Sequence, residues 1–87
     1  MKMEATIALM NSADYKERFK AEYWQTKIRY DKLHRMITKL EAGTLDFTPT
    51  CPVCLLVQQK SYMGQYLHCL EVRAEIEGID LGVDCHE

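Results

Sequence analysis

Residues 14–42, DYKERFKAEYWQTKIRYDKLHRMITKLEA, decide the fold because apolar side chains recur in them every three or four positions. Such spacing puts one stripe along a helix and is typical of a helix that packs along a second helix. Asp14, with Glu17 three residues later, predicts the start of this helix, and Gly43 predicts its end. The stripe consists of Tyr15, Phe19, Tyr23, Thr26, Tyr30, Leu33, Ile37 and Leu40.

A second helix is predicted over residues 52–77. Pro52 suits its first turn, and Gly78 followed by Ile79 predicts its end. The fold class expected is therefore all-α: an antiparallel two-helix hairpin with short ordered segments at both ends, in one domain. The expected divisions are an N-terminal segment (1–13), the first helix (14–42), a connector (43–51), the second helix (52–77) and an acidic Cys/His tail (78–87).

Composition limits the function classes. The chain has 87 residues, of which 47% are hydrophobic and 28% charged, and its net charge is −2. This is ordinary for a small globular domain, and no strong overall charge attracts nucleic acid or a membrane surface. No run approaches the roughly 20 apolar residues of a membrane span, and the first ten residues lack the pattern of a signal peptide. A reducing cytoplasm is the expected compartment.

Two helices cannot bury all the apolar side chains against each other. Trp24 and Ile28 point away from the stripe of the first helix at about 100° per residue. One interpretation is that residues 1–10 cover one band and that the tail or a second chain covers the other. The alternative is a docking surface in which Trp24 and Ile28 lie beside Arg35. The band on the second helix consists of Leu55, Tyr62, Tyr66, Cys69 and Ile76.

Four potential metal ligands lie in two pairs, Cys51 with Cys54 and Cys85 with His86. Two thiolates from a Cys-x-x-Cys turn suit tetrahedral zinc, and four protein ligands would make the ion structural. Reach is the obstacle, because a 25-residue helix is about 37 Å long whereas the steps from Gly78 to Cys85 span at most about 25 Å. Either the helix breaks, or a neighbouring chain in a homodimer supplies the second pair, which is the favoured interpretation.

The other Cys and His residues are weaker candidates for metal ligands. Cys69 could join Cys85 and His86 within one chain, but burial as a small apolar residue is the preferred interpretation. His34 and His68 are expected to be surface or packing residues. The helix break, if it exists, is expected near Gly64.

No catalytic constellation is present. The chain has no Ser-His-Asp arrangement and no glycine-rich phosphate loop, and Cys69 and His68 would project from a helix in different directions. The sequence predicts a binding protein and not an enzyme.

Three stretches carry a family resemblance: residues 14–37, EAGTLDFTPTCP at 41–52 and MGQYLHCLEVRAEIEGIDL at 63–81. They resemble a family of short helical proteins encoded by phages and prophages of Firmicutes and by crAss-like phages. The chain is also similar to anti-CRISPR candidates of streptococcal mobile elements, which inhibit type II CRISPR nucleases. It departs from the pattern at Cys54 and in the tail 83–87. The resemblance implies a counter-defence protein acting in the host bacterial cytoplasm.

Three functions follow as hypotheses. The first is a non-catalytic inhibitor that binds a type II CRISPR nuclease, either through the Trp24 face or through acids that enter a basic nucleic-acid channel. The second is a sponge for cyclic-nucleotide immune signals, which would need Arg29, Lys32 and Arg35 to converge across a subunit interface. The third, a DNA-bound regulator, is disfavoured because no recognition-helix unit is present. The acids of the first hypothesis are Glu71, Glu75, Glu77, Asp80 and Asp84.

Overall fold

The computed structural model describes residues 1–82, and this part of the chain contains helices and no strand. The helices are α1 (Ala5–Met10), α2 (Tyr15–Ala42) and α3 (Val53–Glu77). The all-α prediction is confirmed, but the number of helices is three and not two. α1 was missed because it has only six residues and its N-cap, Glu4, makes no side-chain capping bond.

Local signals mark both ends of α2, a side-chain cap at its start and a glycine at its end. The Asp14 carboxylate accepts a hydrogen bond from the Lys16 backbone N–H at 3.0 Å. The Ser12 hydroxyl accepts from the Asp14 N–H and donates to the Glu17 carboxylate, so Ser12 joins two residues that the sequence suggested would cap each other directly. Gly43 has a φ of 77°, the left-handed conformation that glycine adopts without strain, and closes the helix.

α2 and α3 lie antiparallel, because residues early in one contact residues late in the other. Tyr15 donates to Glu77 at 3.0 Å, and Tyr23 donates to Glu71 at 2.9 Å. A small core lies between α2 and α3. After Gly78 the chain turns, and Ile79 packs into this core. It consists of Phe19, Tyr23, Trp24, Leu67, Leu70, Ala74 and Ile79.

α3 is continuous from Val53 to Glu77, so the helix break near Gly64, the less favoured of the two ways to bring the cysteine pairs together, does not occur. Gly64 lies against the Tyr30 ring, and an added Cβ would be 3.4 Å from Tyr30 Cε2. Gly64 therefore allows α3 to pack closely against Tyr30 of α2. The distance between the two ends of α3 remains an obstacle to any zinc site that draws ligands from both ends of one chain.

The second apolar face of α2 is covered by the N-terminal segment. Thr6 of α1 is fully buried, and Gln25 Nε2 donates to its hydroxyl at 3.0 Å. Trp24 is 5% exposed, and its indole N–H donates to the Leu81 carbonyl at 2.9 Å. Ile28 is buried as well. Burial of Trp24 and Ile28 agrees with the interpretation in which the ends of the chain cover this band, and it does not fit the alternative of a docking surface there.

The outer face of α3 has no such cover within residues 1–82. Tyr62 is 60% exposed and Ile76 78% exposed, and Leu55 and Tyr66 are also exposed. Cys69 is exposed too, so the preferred interpretation of it as a buried residue is wrong.

Candidate ligand-binding groove

A groove of about 410 Å³ lies between the N-terminal segment and α2. On the α2 side its lining residues fall within one arc of the helix, because positions 28, 31, 32 and 35 together span about 100° at about 100° per residue. The N-terminal segment supplies the facing wall, including the side chain of Lys2. The lining consists of Met1, Lys2, Met3, Glu4, Ile28, Asp31, Lys32 and Arg35.

A second hollow of about 250 Å³ continues the first along α2. Lys32 and Arg35 line both hollows, so these two chambers of the groove adjoin each other at Lys32 and Arg35. The connector closes the far end with Leu45 and with Phe47, whose ring is 55% exposed. Lys39 adds another cation at that end. Asp46 lines this second hollow as well, and Glu4 and Asp31 line the first, so the groove combines apolar walls with both cations and acids.

The cations of the groove are available to an external anion. Within residues 1–82, the side chains of Lys32 and Arg35 make no hydrogen bond and no ion pair. The neighbouring Asp31 carboxylate is engaged by Lys27 Nζ at 3.1 Å, so its charge is partly compensated from outside the groove. An arginine guanidinium can bind a phosphate through two parallel hydrogen bonds, and a lysine adds a point charge.

The basic residues named from the sequence are not all brought together. Lys32 and Arg35 meet in the groove, whereas Arg29 is exposed on another side of α2 and lines neither chamber. Arg29 and Arg35 are six residues apart, which separates them by about 120° around the helix. Lys2 was not foreseen from the sequence, because helical periodicity says nothing about how the N-terminal segment folds back.

The expected acidic surface is partly engaged in internal contacts. Glu71 accepts the Tyr23 hydroxyl, and Glu77 accepts both the Tyr15 hydroxyl and the Arg73 guanidinium, the latter at 3.2 Å. Burial and the hydrogen bond to Glu71 raise the pKa of Tyr23 well above its ordinary value. Asp80 accepts the Gly82 backbone N–H, Glu75 is exposed, and Asp84 lies outside the described residues.

The proposed zinc ligands are only partly within the described chain. Cys51 and Cys54 are exposed thiols at the start of α3, while Cys85 and His86 lie outside the described residues. Among residues 1–82, no three His, Cys, Asp or Glu side chains converge as a metal site would require. His34 stacks on the Tyr30 ring with an interplanar angle of 5°, which is a packing role.

A comparison with protein families matches the chain to the family model described as Sequestin. The match covers residues 13–76, which contain all of α2 and nearly all of α3. No curated protein and no solved structure matches the chain. Of the described helices, none is both long enough and apolar enough to cross a membrane.

Proposed function

Because the chain belongs to the Sequestin family, we propose that it binds and sequesters a small anionic ligand, a cyclic-nucleotide immune signal, without chemical conversion. The family description denotes sequestration, which favours binding over catalysis. The main support for the proposal is the groove. In it the side chains of Lys32 and Arg35 lie beside apolar residues and have no bonding partner within residues 1–82.

The groove has the features that a nucleotide requires. Its first chamber alone falls within the roughly 300–1,000 Å³ of typical small-molecule sites. Arg35 and Lys32 suit a phosphate, and the exposed Phe47 ring offers a face on which a base can stack, worth about 1–3 kcal/mol in nucleic-acid complexes. Convergence across a subunit interface is not needed, since Lys2, Lys32 and Arg35 meet within one chain.

Binding calorimetry with cyclic AMP, cyclic UMP and cyclic di-AMP as probes tests the proposal. We expect at least one probe to bind, and Arg35→Ala to weaken it about 10- to 100-fold, since a hydrogen bond to a charged group contributes about 1.5–3 kcal/mol. Arg29→Ala is the matched control, because it removes an exposed arginine of the same helix that lies outside the groove. Failure of every probe to bind, or equal losses in the two variants, would contradict the proposal.

The type II nuclease inhibitor remains the rival hypothesis. It predicts that the purified protein blocks DNA cleavage by a type II CRISPR nuclease at a near-stoichiometric ratio. Substituting exposed Glu75, which has no internal partner within residues 1–82, should then relieve inhibition, and added salt should weaken it. A sequestering protein leaves cleavage unchanged, so this assay and the calorimetry together separate the two functions.

A structural zinc ion stays a proposal as well. The continuous α3 favours the arrangement in which Cys51 and Cys54 of one chain combine with Cys85 and His86 of another. Zinc should then copurify with protein never exposed to chelator, and EDTA should lower the melting temperature. A zinc-free preparation whose melting temperature is unchanged by EDTA would rule it out.

A further inference from the structure

The groove along α2 has an apolar surface on each side of a pair of cations. Its two chambers, of about 410 and 250 Å³, adjoin at Lys32 and Arg35. Met3 and Ile28 contribute apolar surface to the first chamber, and the Phe47 ring contributes it to the second. A ligand that contacts the two cations can therefore extend in both directions along the helix.

Side-chain charge is concentrated where the chambers adjoin. Lys32 and Arg35 line both chambers, whereas the side-chain charges that line only one of them nearly balance. A phosphate is therefore attracted to the junction more than to either end. The carboxylates at the ends can accept hydrogen bonds from the amino group of a base or from a sugar hydroxyl. The balancing side chains are Lys2 with Glu4 and Asp31 in the first chamber, and Lys39 with Asp46 in the second.

We propose that the groove takes a dinucleotide whose phosphates lie between its two bases, with the phosphates at Lys32 and Arg35 and one base in each chamber. This placement rests on the proposed sequestering function and narrows its ligand from nucleotides in general to one class. A cyclic dinucleotide and a dinucleoside diphosphate share the arrangement. Both carry two negative charges, which match the two cations at the junction.

The length of the groove favours two bases over one. It follows α2 from Ile28 to Lys39, which is about 16 Å at a rise of 1.5 Å per residue. A nucleoside is shorter than this distance, so a mononucleotide whose phosphate contacts Arg35 occupies one chamber and leaves the other to water. A dinucleotide fills both chambers, and its second base binds without a further loss of translational freedom.

Calorimetry with cyclic di-AMP, diadenosine diphosphate and cyclic AMP tests the ligand class. We expect at least one of the two dinucleotides to bind about 100-fold or more tightly than cyclic AMP, because linking two binding groups gains about 10²- to 10⁴-fold. The dinucleotide that binds more tightly shows whether the cyclic or the linear form is preferred. A smaller ratio would overturn the dinucleotide and leave sequestration standing. If no nucleotide binds, the proposed function itself fails, and this inference fails with it.

Two substitutions, one in each chamber, test the placement of the bases in the tighter dinucleotide. Phe47→Ala removes the exposed ring of the second chamber and should weaken binding about 10-fold through lost stacking. Glu4→Ala removes an acceptor from the first chamber and should weaken binding about 3- to 10-fold. If a phosphate lay in the first chamber instead, Glu4→Ala would tighten binding by removing a like charge. Tighter binding, or no change in either variant, would overturn the placement.

A matched control separates lost ligand contacts from general effects of the substitutions. Ile7 is 54% exposed against 55% for Phe47 and does not line the groove, so Ile7→Ala should leave binding unchanged. Glu4 makes no side-chain capping bond to α1, so its replacement leaves that helix intact. Helical circular dichroism checks the fold of each variant. Equal losses in Ile7→Ala and Phe47→Ala would contradict a base in the second chamber.

Discussion

The outer faces of α2 and α3 carry comparable apolar side chains and have opposite surroundings. On α2, Trp24 and Ile28 are buried under the N-terminal segment and the turn at Leu81. On α3, Tyr62 and Ile76 remain open to solvent. On one side of the hairpin the N-terminal segment and the turn at Leu81 complete the core, whereas the outer face of α3 stays exposed within residues 1–82. The groove lies on the covered side.

The largest expected effect is that of Trp24→Ala on stability. It removes a buried ring from the core and the donor to the Leu81 carbonyl, and should lower the free energy of unfolding by about 3–5 kcal/mol in urea titration. Tyr62→Ala removes an exposed ring and should change the free energy of unfolding by less than about 0.5 kcal/mol. Similar losses in the two variants would show that the faces do not differ as described.

The two isoleucines offer a comparison at fixed chemistry. Ile28 is 9% exposed and Ile76 is 78% exposed, so the same Ile→Ala change probes burial alone. Ile28→Ala should cost about 2–3 kcal/mol, towards the low end for a core isoleucine because the adjacent groove is open. Ile76→Ala should leave the unfolding midpoint unchanged. A loss for Ile76→Ala as large as that for Ile28→Ala would contradict the difference in burial.

The sequence predicts the α2–α3 hairpin better than it predicts the site. The stripe from Phe19 to Ile37 and the glycines at 43 and 78 are local signals, and they lead directly to two antiparallel helices. The cover over Trp24 is not local, since it depends on where a short, weakly capped α1 and the turn after Gly78 come to lie. The groove depends on the same cover, so only its α2 side, Lys32 and Arg35, could be named beforehand.

Tyr23 and Tyr62 differ in their burial and in their hydroxyl partners. Tyr23 donates to Glu71 from a buried position, and its raised pKa means that folding favours the protonated phenol. Its contribution is complete below the ordinary tyrosine pKa of about 10 and is lost as the pH rises through the folded value. Tyr23→Phe should cost about 1–2 kcal/mol at neutral pH.

The same variant should reduce the fall in unfolding free energy above pH 10. Tyr66, whose pKa is raised by its hydrogen bond to Glu22 and by burial, retains part of the slope in Tyr23→Phe. Tyr62→Phe is the control, because its hydroxyl only accepts a hydrogen bond from Gln58 at an exposed site. An alkaline slope that is unchanged in Tyr23→Phe would show that the buried phenol is not its source.

The smallest effect concerns the inner side of α3, where Gly64 faces the Tyr30 ring. A Cβ there would be 3.4 Å from the ring, a contact and not a clash, so Gly64→Ala should stabilise the helix by about 0.5–1 kcal/mol through lower chain entropy. Gly43→Ala is the control with the opposite sign, because the φ of 77° at Gly43 strains any side chain. If thermal unfolding shows that Gly64→Ala destabilises the protein, α2 and α3 must pack too tightly at Tyr30 to accept a methyl group. Glycine would then be required on the covered side of α3, whereas its open side tolerates tyrosine and isoleucine.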